Sequence, residues 1–119
     1  LQRISRQGAT VVITTDHGSI LGQKASLVHG NRDTSTNLRY KFGENLNGDP
    51  KQSLLLKKPD EYGLPAESPA KNYILAKENY YFVYPTNFHE YEKQYVGTFQ
   101  HGGISLEEMI VPCVTLTAK

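Results

Sequence analysis

Asp16 and His17 close an apolar, β-branched run, Val11-Val12-Ile13-Thr14-Thr15, and Gly18 follows them. Val, Ile and Thr suit a pleated backbone and resist helix, so the run reads as a short buried strand. In α/β proteins functional groups gather where strands end, because the strand fixes them while the next turn exposes them. An anionic oxygen beside a neutral nitrogen donor is a metal-type pair. Gly18 lets the backbone leave the strand without a Cβ in the way. For the dipeptide taken alone, an Asp-initiated turn with a solvated histidine is the plainer account.

A second group stands far along the chain, in Gln100-His101-Gly102-Gly103-Ile104-Ser105-Leu106-Glu107-Glu108-Met109-Ile110-Val111-Pro112. The glycine pair after His101 would admit another backbone, an ion or a phosphate oxygen at close range. Ser105 and Glu108 have capping-box spacing, which starts a short helix and explains Glu108 as a capping partner rather than an acid–base group. Pro112 ends that helix, and residues 111–117 read as a final strand. Cys113, inside that apolar strand, reads as a buried small hydrophobe.

These groups need a scaffold, and 119 residues make about one domain with one modest core. A net charge of +1 gives no general case for nucleic-acid or membrane binding. Any basic patch is local; Arg32, Arg39 and Lys41 are a weak candidate for a phosphate-binding surface, against a merely solvated face. The single cysteine excludes an intrachain disulfide. No apolar stretch approaches the roughly 20 residues that span a bilayer, and the first residues lack a signal-peptide core. A soluble, cytoplasmic chain with no membrane partner is the expectation. Leu1 and Ile4 sit at helical spacing before Gly8, as at a glycine-capped helix end. With no initiator methionine, the chain reads as a piece of something longer.

Between the two groups, residues 20–28 read as one or two short strands and residues 29–37 as turn chemistry. Leu38-Arg39-Tyr40-Lys41-Phe42 alternates apolar with basic residues, as in a half-exposed strand or a helical turn. Residues 73–78 and 80–85 are aromatic and β-branched, and the short link between them predicts a tight hairpin. Packing within that hairpin is the expected role of Tyr80, Tyr81 and Tyr84, ahead of base stacking. Phe88, Tyr91 and Tyr95 recur at helical spacing, predicting an amphipathic helix over 87–95.

The Thr14-Thr15-Asp16-His17-Gly18 block and the distant segment from His101 to Pro112 resemble the PglZ family of the alkaline phosphatase superfamily. Residues 36–41 and 73–85 further resemble PorX-type response regulators, in which a receiver domain and a helical linker precede a PglZ domain. The resemblance implies an α/β fold class: a strand-rich C-terminal fragment of an alkaline-phosphatase-like domain, with a β-hairpin and short helices, over residues 1–119. It also implies phosphoester hydrolysis at two zinc ions, with a monoester, a diester or an oligonucleotide left open as the substrate. Asp16 and His17 then resemble ligands of the zinc that activates the nucleophile, and His101 a ligand of the companion zinc. The family's Thr or Ser nucleophile and its further ligands lie before the Asp-His-Gly block, and nothing in the first fifteen residues matches them.

The expectation is therefore an isolated chain that is inactive and holds zinc weakly or not at all. Its partner would be the N-terminal part of the same domain, and its cut face would invite self-association. The alternative is a non-catalytic PglZ-like interaction module in signalling or secretion control.

Overall fold

The computed structural model describes residues 2–31 and 34–118. Among these residues there are ten short strands, three short helices and one 3-10 turn, with six strands in succession after the first helix. Helix α1 (Gln2–Ser5) ends near Gly8, which takes a φ of +67°. Strands β1 (Val11–Thr14), β2 (Ile20–Gly22) and β3 (Lys24–His29) come next. Strands β4 (Tyr40–Glu44), β5 (Asn47–Gly48) and β6 (Ser53–Leu56) lead to a 3-10 turn at Pro59–Tyr62. Strands β7 (Lys71–Ala76) and β8 (Tyr80–Val83) precede helix α2 (Phe88–Tyr95). Strand β9 (Thr98–Gln100), helix α3 (Leu106–Met109) and strand β10 (Cys113–Leu116) complete the chain.

The core lies between two three-stranded sheets, ordered β5-β3-β8 and β4-β7-β6. Val28 of β3 and Phe82 of β8 meet Ile74 and Ala76 of β7, with Leu46 closing the cluster. Strand β8 runs parallel to β3, and Tyr81, Phe82 and Val83 are all buried. A continuous apolar run is what a parallel strand covered on both faces requires.

The expected hairpin over 73–85 does not form. Both segments are strands, but β7 is the middle strand between β4 and β6, while β8 joins β3 in the other sheet. Residues 77–79 therefore carry the chain from one sheet to the next, with Glu78 at a φ of +42°. Each strand finds its ladder with a segment distant in sequence, which local turn chemistry does not report.

Two separate antiparallel ribbons extend from this body. Strand β1 pairs with β10, Val11 opposite Leu116 and Thr14 opposite Cys113. Strand β2 pairs with β9, Ile20 opposite Gln100 and Gly22 opposite Thr98. The first ribbon corrects two expectations. Val12, Ile13, Val114 and Leu116 are exposed, so β1 is not a buried strand. Cys113 is likewise an exposed thiol. Apolar composition predicts burial only where another layer lies over the strand, and here Val12, Ile13 and Val114 stand open to solvent. The radius of gyration is 18.5 Å, against about 14 Å for a compact chain of this length.

Candidate functional site

Both motifs occupy connections between the same two ribbons. The Asp16-His17 segment links β1 to β2, and the segment from His101 to Pro112 links β9 to β10. Because β1 pairs with β10 and β2 with β9, the two connections leave one ladder together and reach the other together. Residues more than eighty positions apart are thereby held side by side. The imidazoles of His17 and His101 stack with centroids 4.0 Å apart and planes 12° from parallel. Asp16 Oδ1 lies 3.7 Å from His17 Nε2. Asp16, His17 and His101, all expected at one site, do come together.

The tautomer of the His17 ring follows from its neighbour. Its Nδ1 is 2.8 Å from the Gly18 carbonyl, which can only accept, so Nδ1 carries the proton. In the neutral ring Nε2 is then left with its lone pair, facing the Asp16 carboxylate. A ring fixed through one nitrogen and free at the other is the arrangement of a metal-binding histidine. Asp16 and His17 are solvent-accessible, their side chains 88% and 45% exposed. Among the described residues, no group of three or more His, Cys, Asp or Glu side chains is arranged to hold a metal ion.

Below the stacked rings lies a buried clamp. Arg39 and Glu108 form a bidentate pair, Nε to Oε1 and Nη2 to Oε2, both at 2.9 Å and wholly out of solvent. The same carboxylate accepts the Gly103 and Ser105 N–H groups, at 2.9 and 3.2 Å. Arg39 Nη1 donates to the Tyr80 carbonyl of β8. The Glu108 backbone carbonyl takes the Gly18 N–H at 2.9 Å. One residue thus grips the loop after His101 with its side chain and the loop after His17 with its backbone. Asn37 adds a third hold, donating to the His101 carbonyl at 3.4 Å while its Oδ1 accepts the Arg39 and Tyr40 N–H groups.

Burial alone would raise the Glu108 carboxyl, yet bonds from Arg39, Ser105 and Gly103, with the Arg39 charge, hold it below the usual range.

The motif glycines answer to this clamp. A Cβ at Gly18 would sit 1.9 Å from the Glu107 carbonyl oxygen, and one at Gly103 only 2.6 Å from Glu108 Oε2. Close approach was expected at Gly103; the approaching group is the protein's own carboxylate.

The expected basic surface takes another form. Arg39 is fully buried and neutralised by Glu108, so it has no free face for a phosphate. Lys41 is also buried, with its ammonium 4.8 Å from the Tyr84 ring centroid. Arg32 lies outside the described residues. Sequence reasoning missed the clamp itself. Its only local sign is the Ser105–Glu108 spacing, which accounts for one of the bonds that Glu108 makes.

The strand-rich architecture with short helices is compatible with an alkaline-phosphatase-like α/β unit. The chain belongs to the PglZ family: the family model for the BREX system PglZ alkaline phosphatase-like domain matches residues 1–116. No curated protein matches the chain. Among the described residues, no helix is long and apolar enough to cross a membrane.

Proposed function

We propose that Asp16, His17 and His101 are part of a dinuclear zinc centre that hydrolyses phosphoesters, completed by a nucleophile and further ligands outside these 119 residues. The observation that carries this is the parallel stack of His17 on His101 at 4.0 Å. An imidazole lone pair lies in its ring plane, so parallel rings direct their donors into separate planes. One ion cannot take both, whereas two ions side by side can. Asp16, beside His17, would hold the same ion as that ring, and His101 the other. When bound, such a pair of zinc ions would supply charge stabilisation for the entering and leaving oxygens of an in-line displacement. This chain's part is to hold three donors in register and to fix the His17 tautomer.

Three donors fall short of two zinc sites, so the reading includes weak zinc binding and no hydrolysis by the chain alone. It also includes a partner, the N-terminal part of the same domain, seated over the exposed β1/β10 ribbon. The larger protein is read as the effector of a PorX-type response regulator in the cytoplasm. The matched family's description favours a BREX-system setting as the second reading. The coding sequence upstream decides between them, since a receiver domain belongs to the first alone.

The test is zinc titration and bis(p-nitrophenyl) phosphate hydrolysis, on this chain and on the full-length protein. Two zinc equivalents and activity in the full protein, both lost in the Asp16→Ala and His101→Ala forms, support the reading. Tight binding of two equivalents by the chain alone, or full activity in both variants, refutes it. If the partner assignment holds, Cys113 reacts freely with a maleimide in this chain and is protected in the full-length protein.

A further inference from the structure

Strand β4 turns Lys41 into a cleft of about 190 Å³ between β8 and α2. Leu38, Phe82 and Val83 line its inner part and exposed Thr36 its edge, and Tyr84, Tyr91 and Tyr95 form an aromatic wall. The rings of Tyr91 and Tyr95 lie 6.1 Å apart and 9° from parallel, with Tyr91 at the exposed rim. Lys41 is the one charged group in this lining, and no acidic side chain shares it.

The lysine itself is 1% exposed. A buried ammonium is normally paired with a carboxylate, because an uncompensated charge in the interior is costly. Among the described residues no carboxylate pairs with Lys41, and none of its three N–H donors has an acceptor. The Tyr84 ring attracts the charge from one side but accepts none of those bonds in the ordinary way. Burial pushes its amine down to about 8, which still leaves it mostly protonated at pH 7. The cleft thus offers a cation in need of oxygen acceptors at its base and flat apolar surface at its rim.

We infer that this cleft binds an organic oxyanion, a phosphoryl or carboxylate group carried on a flat or apolar body. The anionic end takes the Lys41 ammonium, and the body lies along Tyr91 and Tyr95. The inference is independent of the zinc reading, since neither Asp16, His17 nor His101 lines the cleft.

The test is calorimetric titration of this chain, with a chelator present, using phenyl phosphate, benzoate, inorganic phosphate and phenol. Either aryl anion should bind at least about tenfold more tightly than phenol, the difference expected of one charge-assisted bond. Lys41→Met should remove that preference while leaving phenol binding unchanged. Tyr91→Ala should weaken binding of the aryl anion and leave inorganic phosphate unaffected. His101→Ala should change nothing, which separates this site from the metal centre. Equal binding of phenol and the aryl anions overturns the inference whether or not the Lys41 variant folds. So does an absence of aryl-anion binding at millimolar concentration, or undiminished aryl-anion binding by a folded Lys41→Met protein.

Discussion

Arg39 and Glu108 are 69 residues apart in sequence and joined by two 2.9 Å bonds in a site closed to solvent. A buried ion pair is weak evidence of net stability, because two charges lose their water to form it. Its specificity is another matter. Arg39 is neutralised by Glu108, and the same carboxylate also holds the loop after His101 through Gly103 and Ser105, so the packing that pairs the charges also sets that loop.

Removing one partner leaves the other charge stranded. Arg39→Met or Glu108→Leu should therefore destabilise the chain by about 3–5 kcal/mol. The double change Arg39→Met/Glu108→Leu should recover part of that loss, though Gly103 and Ser105 still lack an acceptor. Urea denaturation of the four proteins measures the coupling. Additive losses in the double variant would show that the two side chains do not act as a pair.

Acid should open the clamp. The Glu108 carboxyl is held below its ordinary value of 4.5, so the folded state binds fewer protons than the unfolded state there. Its contribution is complete above that value and is lost as pH falls through the lowered one. The stability gap between the parent chain and Glu108→Gln should be widest near neutrality and shrink below pH 4.5. Urea midpoints taken across that range check it.

Alkali should act on Lys41 in the opposite sense to a salt-bridged lysine. Its folded pKa is about 8 against 10.5 when unfolded, so burial of the charged form costs stability in full below about 8. That cost is relieved as pH rises from 8 to 10.5. Tyr73, Tyr81 and Tyr84, all raised by burial, work against the chain above pH 10. The informative quantity is thus the difference from Lys41→Met, which carries the same tyrosines. The stability of the parent relative to that variant should climb between pH 8 and 10.

Gly18→Ala tests the contact between the two loops. Its new Cβ would fall 1.9 Å from the Glu107 carbonyl oxygen, and a backbone atom cannot swing aside as a side-chain tip does. A loss of about 1–3 kcal/mol is expected from overpacking at this point. The same shift should part His17 from His101. Thermal melting measures the first effect, and imidazole proton resonances in NMR, displaced by ring stacking, report the second.

Much of this arrangement was legible in the residues, and its failures share a cause. Helix α2, strand β8 and the turn into α3 follow from patterns contained within a dozen residues. The convergence of Asp16, His17 and His101 was legible through family resemblance, because composition says nothing about a pairing across more than eighty residues. The hairpin expected at 73–85 failed because β7 and β8 each prefer a remote ladder to their nearest neighbour. Arg39 and Lys41 looked half exposed for the same reason: alternation marks two faces of a strand, not which face receives a distant carboxylate or an aromatic ring. Val12, Ile13 and Cys113 erred the other way, since apolar residues record a preference for cover rather than its presence.

The pairing of Ile20 with Gln100 has one further effect. Strands advance about 3.3 Å per residue with alternating faces, so a slip of one position in that ribbon would turn His101 away from His17. A slip of two would restore the face but carry the ring some 7 Å past its neighbour. The β2/β9 ladder therefore serves as a vernier, admitting a single setting at which the two imidazoles coincide.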